Sequence, residues 1–134
     1  MKIHKSILFF LLVALALIAC SPNEKNTGKE VSITDQELPQ SVGLEVGNIL
    51  EIVLPANPST GYSWEVGFYN SSMLKPSGEP EFIQQDASLG AEGVQKLHFE
   101  AIGAGENELV LVYRRSFEKD LPELKTFNVD VTVK

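Results

Sequence analysis

Residues 124–133 read LKTFNVDVTV, and this stretch decides the fold class. Polar side chains alternate with apolar ones, and the apolar positions are Phe127, Val129, Val131 and Val133. Successive side chains of a β-strand point to opposite faces, so this period predicts a strand with one face on a core and the other in solvent.

The same period of two continues upstream, and no eleven-residue window after residue 30 carries a helical stripe of apolar residues. Alternating or short apolar segments lie at residues 42–46, 49–54, 62–66, 82–83, 97–101 and 109–113. Turn-forming residues separate them, and Gly47-Asn48 predicts a hairpin between the first two segments. About seven strands in a domain of roughly 100 residues predict an all-β, two-sheet β-sandwich, with an open barrel as the alternative. Trp64 is the expected core anchor.

The first nineteen residues read as an export signal. Lys2 and Lys5 precede an apolar run from Ile7 to Ala19. Thirteen residues would form a helix of about 20 Å, which is too short for a hydrocarbon core of roughly 30 Å. Because the run ends in LIAC, it resembles the bacterial lipobox, and we predict that residues 1–19 are a lipoprotein signal peptide. An ordinary secretory signal is the alternative.

Cys20 would then be the lipidated first residue of the mature protein. Several acyl chains hold a protein firmly on a membrane. Residues 20–30 are predicted to form a flexible tether and residues 31–134 the folded domain. The expected location is the cell envelope, with the domain in the periplasm or at the cell surface. Ser21, where an aspartate would retain many Gram-negative lipoproteins in the inner membrane, favours the outer membrane.

The mature chain would be acidic. Without Lys2 and Lys5, nine Lys and Arg residues remain against eighteen Asp and Glu, a net charge of about −9. Phosphate binding needs clustered basic side chains, and the only arginine pair is Arg114-Arg115. We therefore expect no nucleic-acid partner.

The sequence predicts no enzyme. Beyond the signal, His98 is the single histidine, and alternation with Leu97 and Phe99 places it on the outer face of its strand. Cys20 is the only cysteine, and lipidation would leave no free thiol. One histidine without a thiol falls short of a catalytic pair or a zinc site, so we expect neither a metal nor a cofactor.

A rigid loop connects two of the predicted strands. It reads ANPSTGYSW over residues 56–64. Pro58 has a restricted φ and biases Asn57 towards an extended conformation, while Asn57 can hydrogen-bond the backbone two residues on. Gly61 allows a conformation that side chains disfavour. A rigid loop loses little conformational entropy when it binds a partner. Ser59 and Thr60 at its tip therefore favour a binding role.

Residues 54–64, LPANPSTGYSW, resemble the Asn-Pro-(Ser/Thr)-Thr-Gly-aromatic-X-Trp signature of the chagasin family of cysteine protease inhibitors. Residues 89–93, LGAEG, stand where that family has a glycine-rich loop, and residues 113–117, YRRSF, where it has an Arg-Pro-Trp-like loop. The resemblance extends from residue 42 to residue 133. It implies an immunoglobulin-like sandwich of about seven strands that presents three loops at one end.

The resemblance also implies a function. The protein would be a reversible, tight-binding inhibitor of papain-like cysteine proteases. We also predict that it stays uncleaved and, since nothing in the sequence suggests an oligomer, that it is a monomer. Thr60 would lie beside the Cys-His pair of the protease, so that coverage alone stops turnover. The implied protease-binding residues are Asn57, Pro58, Ser59, Thr60, Gly61 and Tyr62 in the first loop, Gly90, Ala91, Glu92 and Gly93 in the second, and Arg115 and Phe117 in the third.

The chain departs from the family pattern at three positions. Ser116 replaces the usual proline and Phe117 the usual tryptophan, which predicts a more mobile third loop with a smaller stacking contact. Glu92 adds a negative charge to the second loop. The rival hypothesis is an envelope-anchored, immunoglobulin-like binding or adhesion module that does not inhibit proteases.

Overall fold

The computed structural model describes residues 28–36, 41–118 and 120–134, which form nine β-strands and one short 3-10 turn. The strands are β1 (Glu30–Thr34), β2 (Ser41–Leu44), β3 (Ile49–Ala56), β4 (Ser63–Phe68), β5 (Leu74–Pro76), β6 (Glu81–Gln84), β7 (Gly93–Ala101), β8 (Gly105–Arg114) and β9 (Lys125–Val133). The predicted signal peptide and Cys20 lie outside the described residues. Across the described ranges, no helix has the length and apolar character needed to cross a bilayer.

The strands form two sheets. The first has the order β1-β3-β7-β5, with β6 also paired to β7, and the second has the order β2-β9-β8-β4. β1 is parallel to β3 and β2 is parallel to β9, whereas the other pairs are antiparallel. The predicted two-sheet sandwich is confirmed. It has two more strands than predicted, because the sequence analysis did not recognise β1 or the three-residue β5.

Both sheets contribute to one hydrophobic core. Its most deeply buried side chains are Leu50, Ile52 and Leu54 of β3, Phe99 of β7, Leu109 and Leu111 of β8, and Val129 and Val131 of β9. Burying one such side chain stabilises the fold by about 1.5–3 kcal/mol. These residues occupy the alternating positions that the sequence identified, and Trp64 is buried among them as predicted.

The predicted hairpin between β2 and β3 is wrong. β2 pairs with β9, and β3 pairs with β1 and β7, so the two strands belong to different sheets. The turn at Gly47-Asn48 is present, but two successive backbone N–H groups of this turn, those of Val46 and Gly47, donate hydrogen bonds to different sheets. The N–H of Val46 donates to the Lys134 carbonyl in the second sheet, and that of Gly47 donates to the Ala101 carbonyl in the first. The sequence of the turn at Gly47-Asn48 correctly indicated a turn, but it did not determine which strands β2 and β3 pair with.

A carboxylate is buried on the outer face of the first sheet. Glu51 is 8% exposed and accepts hydrogen bonds from Ser32 Oγ and Lys96 Nζ, each at 2.8 Å. His98 Nε2 lies 3.3 Å from the same carboxylate. His98 is therefore on the predicted outer face, where it is half-buried against Glu51. The hydrogen bond from Lys96 holds the pKa of Glu51 below its ordinary value.

We expect Glu51→Gln to lower the free energy of unfolding by about 1–3 kcal/mol at pH 7, because Lys96 loses a charged partner. A carboxyl group with a lowered folded-state pKa stabilises the fold above its unfolded pKa of about 4.3, and this stabilisation is lost as the pH falls through the folded value. Urea denaturation between pH 7 and pH 3 should show the difference from the wild type shrinking with acidity. The exposed Glu79→Gln variant is the charge control, and equal stability of Glu51→Gln and wild type at pH 7 would contradict the prediction.

Candidate functional site

Strand pairing brings three loops to one end of the sandwich. The first loop (residues 57–62) joins β3 to β4, the second (residues 85–92) joins β6 to β7, and the third (residues 115–124) joins β8 to β9. Ala56 before the first loop pairs with Gly93 after the second, and Ser63 after the first loop pairs with Arg114 before the third. The three loops predicted to act together are therefore neighbours.

The first loop is ordered by its own sequence. Asn57 has φ −134° and caps a 3-10 turn over Pro58–Thr60. Its Oδ1 accepts the Ser59 N–H at 3.2 Å and the Ser59 hydroxyl at 2.5 Å. Gly61 has φ +80°, and its N–H donates to the Pro58 carbonyl at 2.9 Å. The extended Asn57, its bond two residues on and the special conformation of Gly61 are all as predicted.

The tip of the first loop is exposed, with Pro58, Ser59 and Thr60 all open to solvent. The Thr60 hydroxyl donates to the Asn57 carbonyl at 2.6 Å. The hydroxyl is therefore used to hold the turn closed, and a partner would meet a tip that is already ordered.

A hydrogen bond joins the second loop to the first. Asn57 Nδ2 donates to the Gly90 carbonyl at 3.3 Å. Gly90 has φ +78°, so its backbone adopts a conformation that other residues disfavour. Within the loop, Asp86 accepts hydrogen bonds from the hydroxyl and the N–H of Ser88. These bonds hold the pKa of Asp86 below its ordinary value.

The remaining residues of the second loop differ in exposure. Leu89 is fully exposed at the tip, Glu92 is exposed and Ala91 is half-buried. Gly93 is buried as the first residue of β7, where a Cβ would lie 2.1 Å from the Ile83 carbonyl oxygen. Close packing of β6 on β7 thus explains the glycine at position 93.

Arg115 joins the third loop to the first. Its guanidinium lies over the Tyr62 ring, with Cζ 4.7 Å from the centroid, and its Nε donates to the Thr60 carbonyl at 3.1 Å. Nη1 forms a salt bridge of 3.2 Å with Glu118. Phe117 is 73% exposed beside Gly61, where a Cβ would lie 3.5 Å from the Phe117 ring.

Ser116 is also held in place. Its hydroxyl donates to Glu65, which also accepts a hydrogen bond from Arg114 Nε at 2.9 Å. Arg114 and Arg115 therefore lie on opposite faces, as alternation predicts. The Ser116 hydroxyl therefore forms a hydrogen bond at the position that proline usually occupies in the family. The greater mobility of the third loop stays a prediction.

Stacked aromatic rings connect the loops to the core. Tyr62 stacks on Tyr113 with 5.5 Å between ring centroids, and Tyr113 lies 5.1 Å from Trp64. The Tyr113 hydroxyl accepts the Asn57 N–H at 3.0 Å. Sequence reasoning did not assign Tyr113 to the site. The sequence did hold a signal, because Tyr113 continues the alternation of Leu109 and Leu111 and was therefore expected to be buried. A buried tyrosine needs a hydrogen-bond partner for its hydroxyl.

Gln95 is a second residue that sequence reasoning missed. This β7 side chain is 7% exposed and reaches across to β4, the edge strand of the other sheet. Gln95 Nε2 donates to the Trp64 carbonyl and Gln95 Oε1 accepts the Trp64 N–H, each at 2.8 Å. A glutamine in the apolar phase of an alternating strand was the available signal.

The family model described as chagasin family peptidase inhibitor I42 matches residues 43–131. The chain belongs to the chagasin family. The resemblance drawn from the three loops is thus confirmed, and the chain is a member of an inhibitor family rather than an enzyme.

Individual members of the chagasin family cover most of the domain. The chain is 32% identical to amoebiasin-1 of Entamoeba histolytica over 106 residues, which are 77% of this chain and 99% of that protein. It is 33% identical to chagasin of Trypanosoma cruzi over 90 residues, or 63% and 80% of the two chains.

A solved structure shares the fold. The crystal structure of the cysteine protease inhibitor EhICP2 from Entamoeba histolytica matches with a TM-score of 0.68 at 20% identity. The match covers 79% of this chain and 96% of that chain. The predicted immunoglobulin-like sandwich is thereby confirmed.

We expect Gln95→Ala to lower the free energy of unfolding by about 2–4 kcal/mol, because the N–H and C=O of Trp64 would both lose their partner in a buried place. Urea denaturation followed by fluorescence measures this directly, since Trp64 is the only tryptophan. The exposed Gln36→Ala variant should change stability by less than about 0.5 kcal/mol. A Gln95→Ala protein as stable as this control would contradict the prediction.

Proposed function

We propose that this protein is a reversible, tight-binding inhibitor of papain-like cysteine proteases. The observation that carries the proposal is the ordered first loop, bonded to both flanking loops at one end of the sandwich. Membership of a peptidase inhibitor family, and a structural neighbour described as a cysteine protease inhibitor, support this function over an adhesion module.

The proposed mechanism is steric coverage of the catalytic cleft. The exposed tip, Pro58–Thr60, would enter the cleft, with Thr60 beside the thiolate and imidazolium of the protease. The tip loses little conformational freedom on binding because its turn is already closed. Residues 58–60 also form a 3-10 turn rather than the extended strand in which substrates commonly pair with a binding edge. This geometry supports an inhibitor that is not cleaved.

The flanking loops would contact the rims of the cleft. Phe117 presents an aromatic ring and Leu89 an isobutyl side chain, and both are largely exposed beside the first loop. Exposed apolar groups at one end of a domain favour a protein partner, and aromatic side chains are frequent anchors of interfaces. Gly90 would offer its backbone, whereas Glu92 would add a negative charge at the same rim.

We propose a cell-envelope location, with lipidated Cys20 as the anchor and the domain acting as a monomer. The topology of the described residues supports this arrangement. Ile49 at the start of β3 bonds to the Lys29 carbonyl, whereas the first loop follows Ala56 at the end of β3. Eight strand residues extend about 26 Å. The tether would therefore join the domain at the end opposite the loops, where the anchor would not cover them.

The proposal predicts that the soluble chain, residues 21–134, inhibits papain and a cathepsin L-type protease reversibly and to saturation. Hydrolysis of a fluorogenic peptide measures the loss of activity. Recovery of activity on dilution would demonstrate reversibility, and an intact inhibitor band after prolonged incubation would demonstrate resistance to cleavage. A serine protease should be unaffected. Full protease activity at high micromolar concentrations of folded protein would refute the proposal.

Thr60→Arg should raise the inhibition constant by on the order of 100-fold, because a long charged side chain at the tip would block entry into the cleft. Thr60 is exposed, so the variant should remain folded. Ala104→Arg places the same side chain in the exposed turn between β7 and β8, at the other end of the domain, and is the matched control. Equal inhibition constants for the two variants would exclude entry of the first loop into the cleft.

A further inference from the structure

We infer that Arg115 is a positioning residue, held by Glu118, which keeps the first loop in its binding conformation while Phe117 makes the third loop's contact with the protease. This inference rests on the proposed function and deepens it. The family resemblance implied instead that Arg115 itself contacts the protease, and it assigned no role to Glu118.

The guanidinium of Arg115 is already engaged within the free domain. One face covers the Tyr62 ring at 4.7 Å, Nε donates to the Thr60 carbonyl and Nη1 binds the Glu118 carboxylate. The stacking and the hydrogen bond act on two residues of the first loop. A guanidinium can hold several partners in one plane because its donors have a fixed geometry.

Glu118 is itself held in place by the backbone of the third loop. Its N–H donates to the Arg115 carbonyl at 3.0 Å, and its own carbonyl accepts the Leu121 N–H at 3.2 Å. Its side chain is 32% exposed and that of Arg115 is 35% exposed. An ion pair with this exposure contributes little to global stability. The pair is therefore better suited to orienting the guanidinium over the first loop than to stabilising the fold.

Among residues 115–118, Phe117 is the side chain that remains available to a partner. Ser116 donates to Glu65 on the sheet face, and Arg115 points to the first loop. Phe117, directly after these two residues, keeps 73% of its surface exposed next to Gly61. The third loop thus separates two tasks, with Arg115 ordering the neighbouring loop and Phe117 presenting apolar surface.

Two measurements on the protein test the inference. Amide hydrogen exchange at Thr60 and Gly61, without protease, reports the order of the first loop, and the inhibition constant for papain reports binding. Arg115→Ala should accelerate exchange at both amides and raise the inhibition constant by about tenfold, through loss of the stacking and the hydrogen bond. Glu118→Gln should act in the same direction, by about threefold on the inhibition constant.

The double variant and a matched control distinguish positioning from direct contact. If Glu118 acts through Arg115, the double variant should inhibit no more weakly than Arg115→Ala alone. Arg114→Ala removes the same side chain on the opposite face and should leave exchange at Thr60 and Gly61 unchanged. Independent, multiplying effects of the two substitutions on the inhibition constant would overturn the role of Glu118.

Unchanged exchange in Arg115→Ala, together with weaker inhibition, would overturn the inference and make Arg115 a direct contact. Because exchange is measured without protease, this failure is separable from failure of the proposed function. A wild-type protein that does not inhibit papain, but whose first loop loosens in Arg115→Ala and Glu118→Gln, would refute the proposed function and support the positioning role.

Discussion

The hydrogen bonds of Asn57 hold the functional end of the domain together. Its side chain caps the 3-10 turn through Ser59 and donates to the Gly90 carbonyl of the second loop. Its backbone N–H binds the Tyr113 hydroxyl, and its carbonyl accepts the Thr60 hydroxyl. One residue therefore closes the turn, joins two loops and ties both to the aromatic core. Because each bond satisfies a group at the start of the loop, the tip can remain exposed without being free to move.

The arrangement also depends on how the two sheets are joined. The first loop leaves β3 in one sheet and enters β4 in the other, so any sliding of the sheets would change the distance between its ends. Gln95 limits such sliding, since it binds both backbone groups of Trp64 across the interior. It also satisfies groups that an edge strand would otherwise leave unpaired in a buried place. The stacked rings of Tyr62, Tyr113 and Trp64 continue this restraint from the core to the loop.

Two carboxylates, those of Glu118 and Glu65, hold side chains of the third loop in place. Arg115 and Ser116 are each associated with a carboxylate, Glu118 and Glu65, on different sides of the segment. These bonds hold Arg115 and Ser116 in place without the proline usual in the family. Phe117 follows these two bonded residues and keeps 73% of its surface exposed. Ordering before binding reduces the entropic cost of association, which is the physical basis of a rigid inhibitor.

The sequence by itself determined the strands, the sandwich and the shape of the first loop, because these depend on alternation and on contacts within a few residues. The first loop is shaped by Asn57, Pro58 and Gly61, whose partners lie within three residues in the sequence. Tertiary structure alone decided which strands pair, as the separation of β2 from β3 shows, and which distant side chains meet. Asn57 reaches Gly90 over 33 residues, and Arg115 reaches Thr60 over 55. Such partners are set by the docking of whole strands, which brings groups together that have no local relation in the chain.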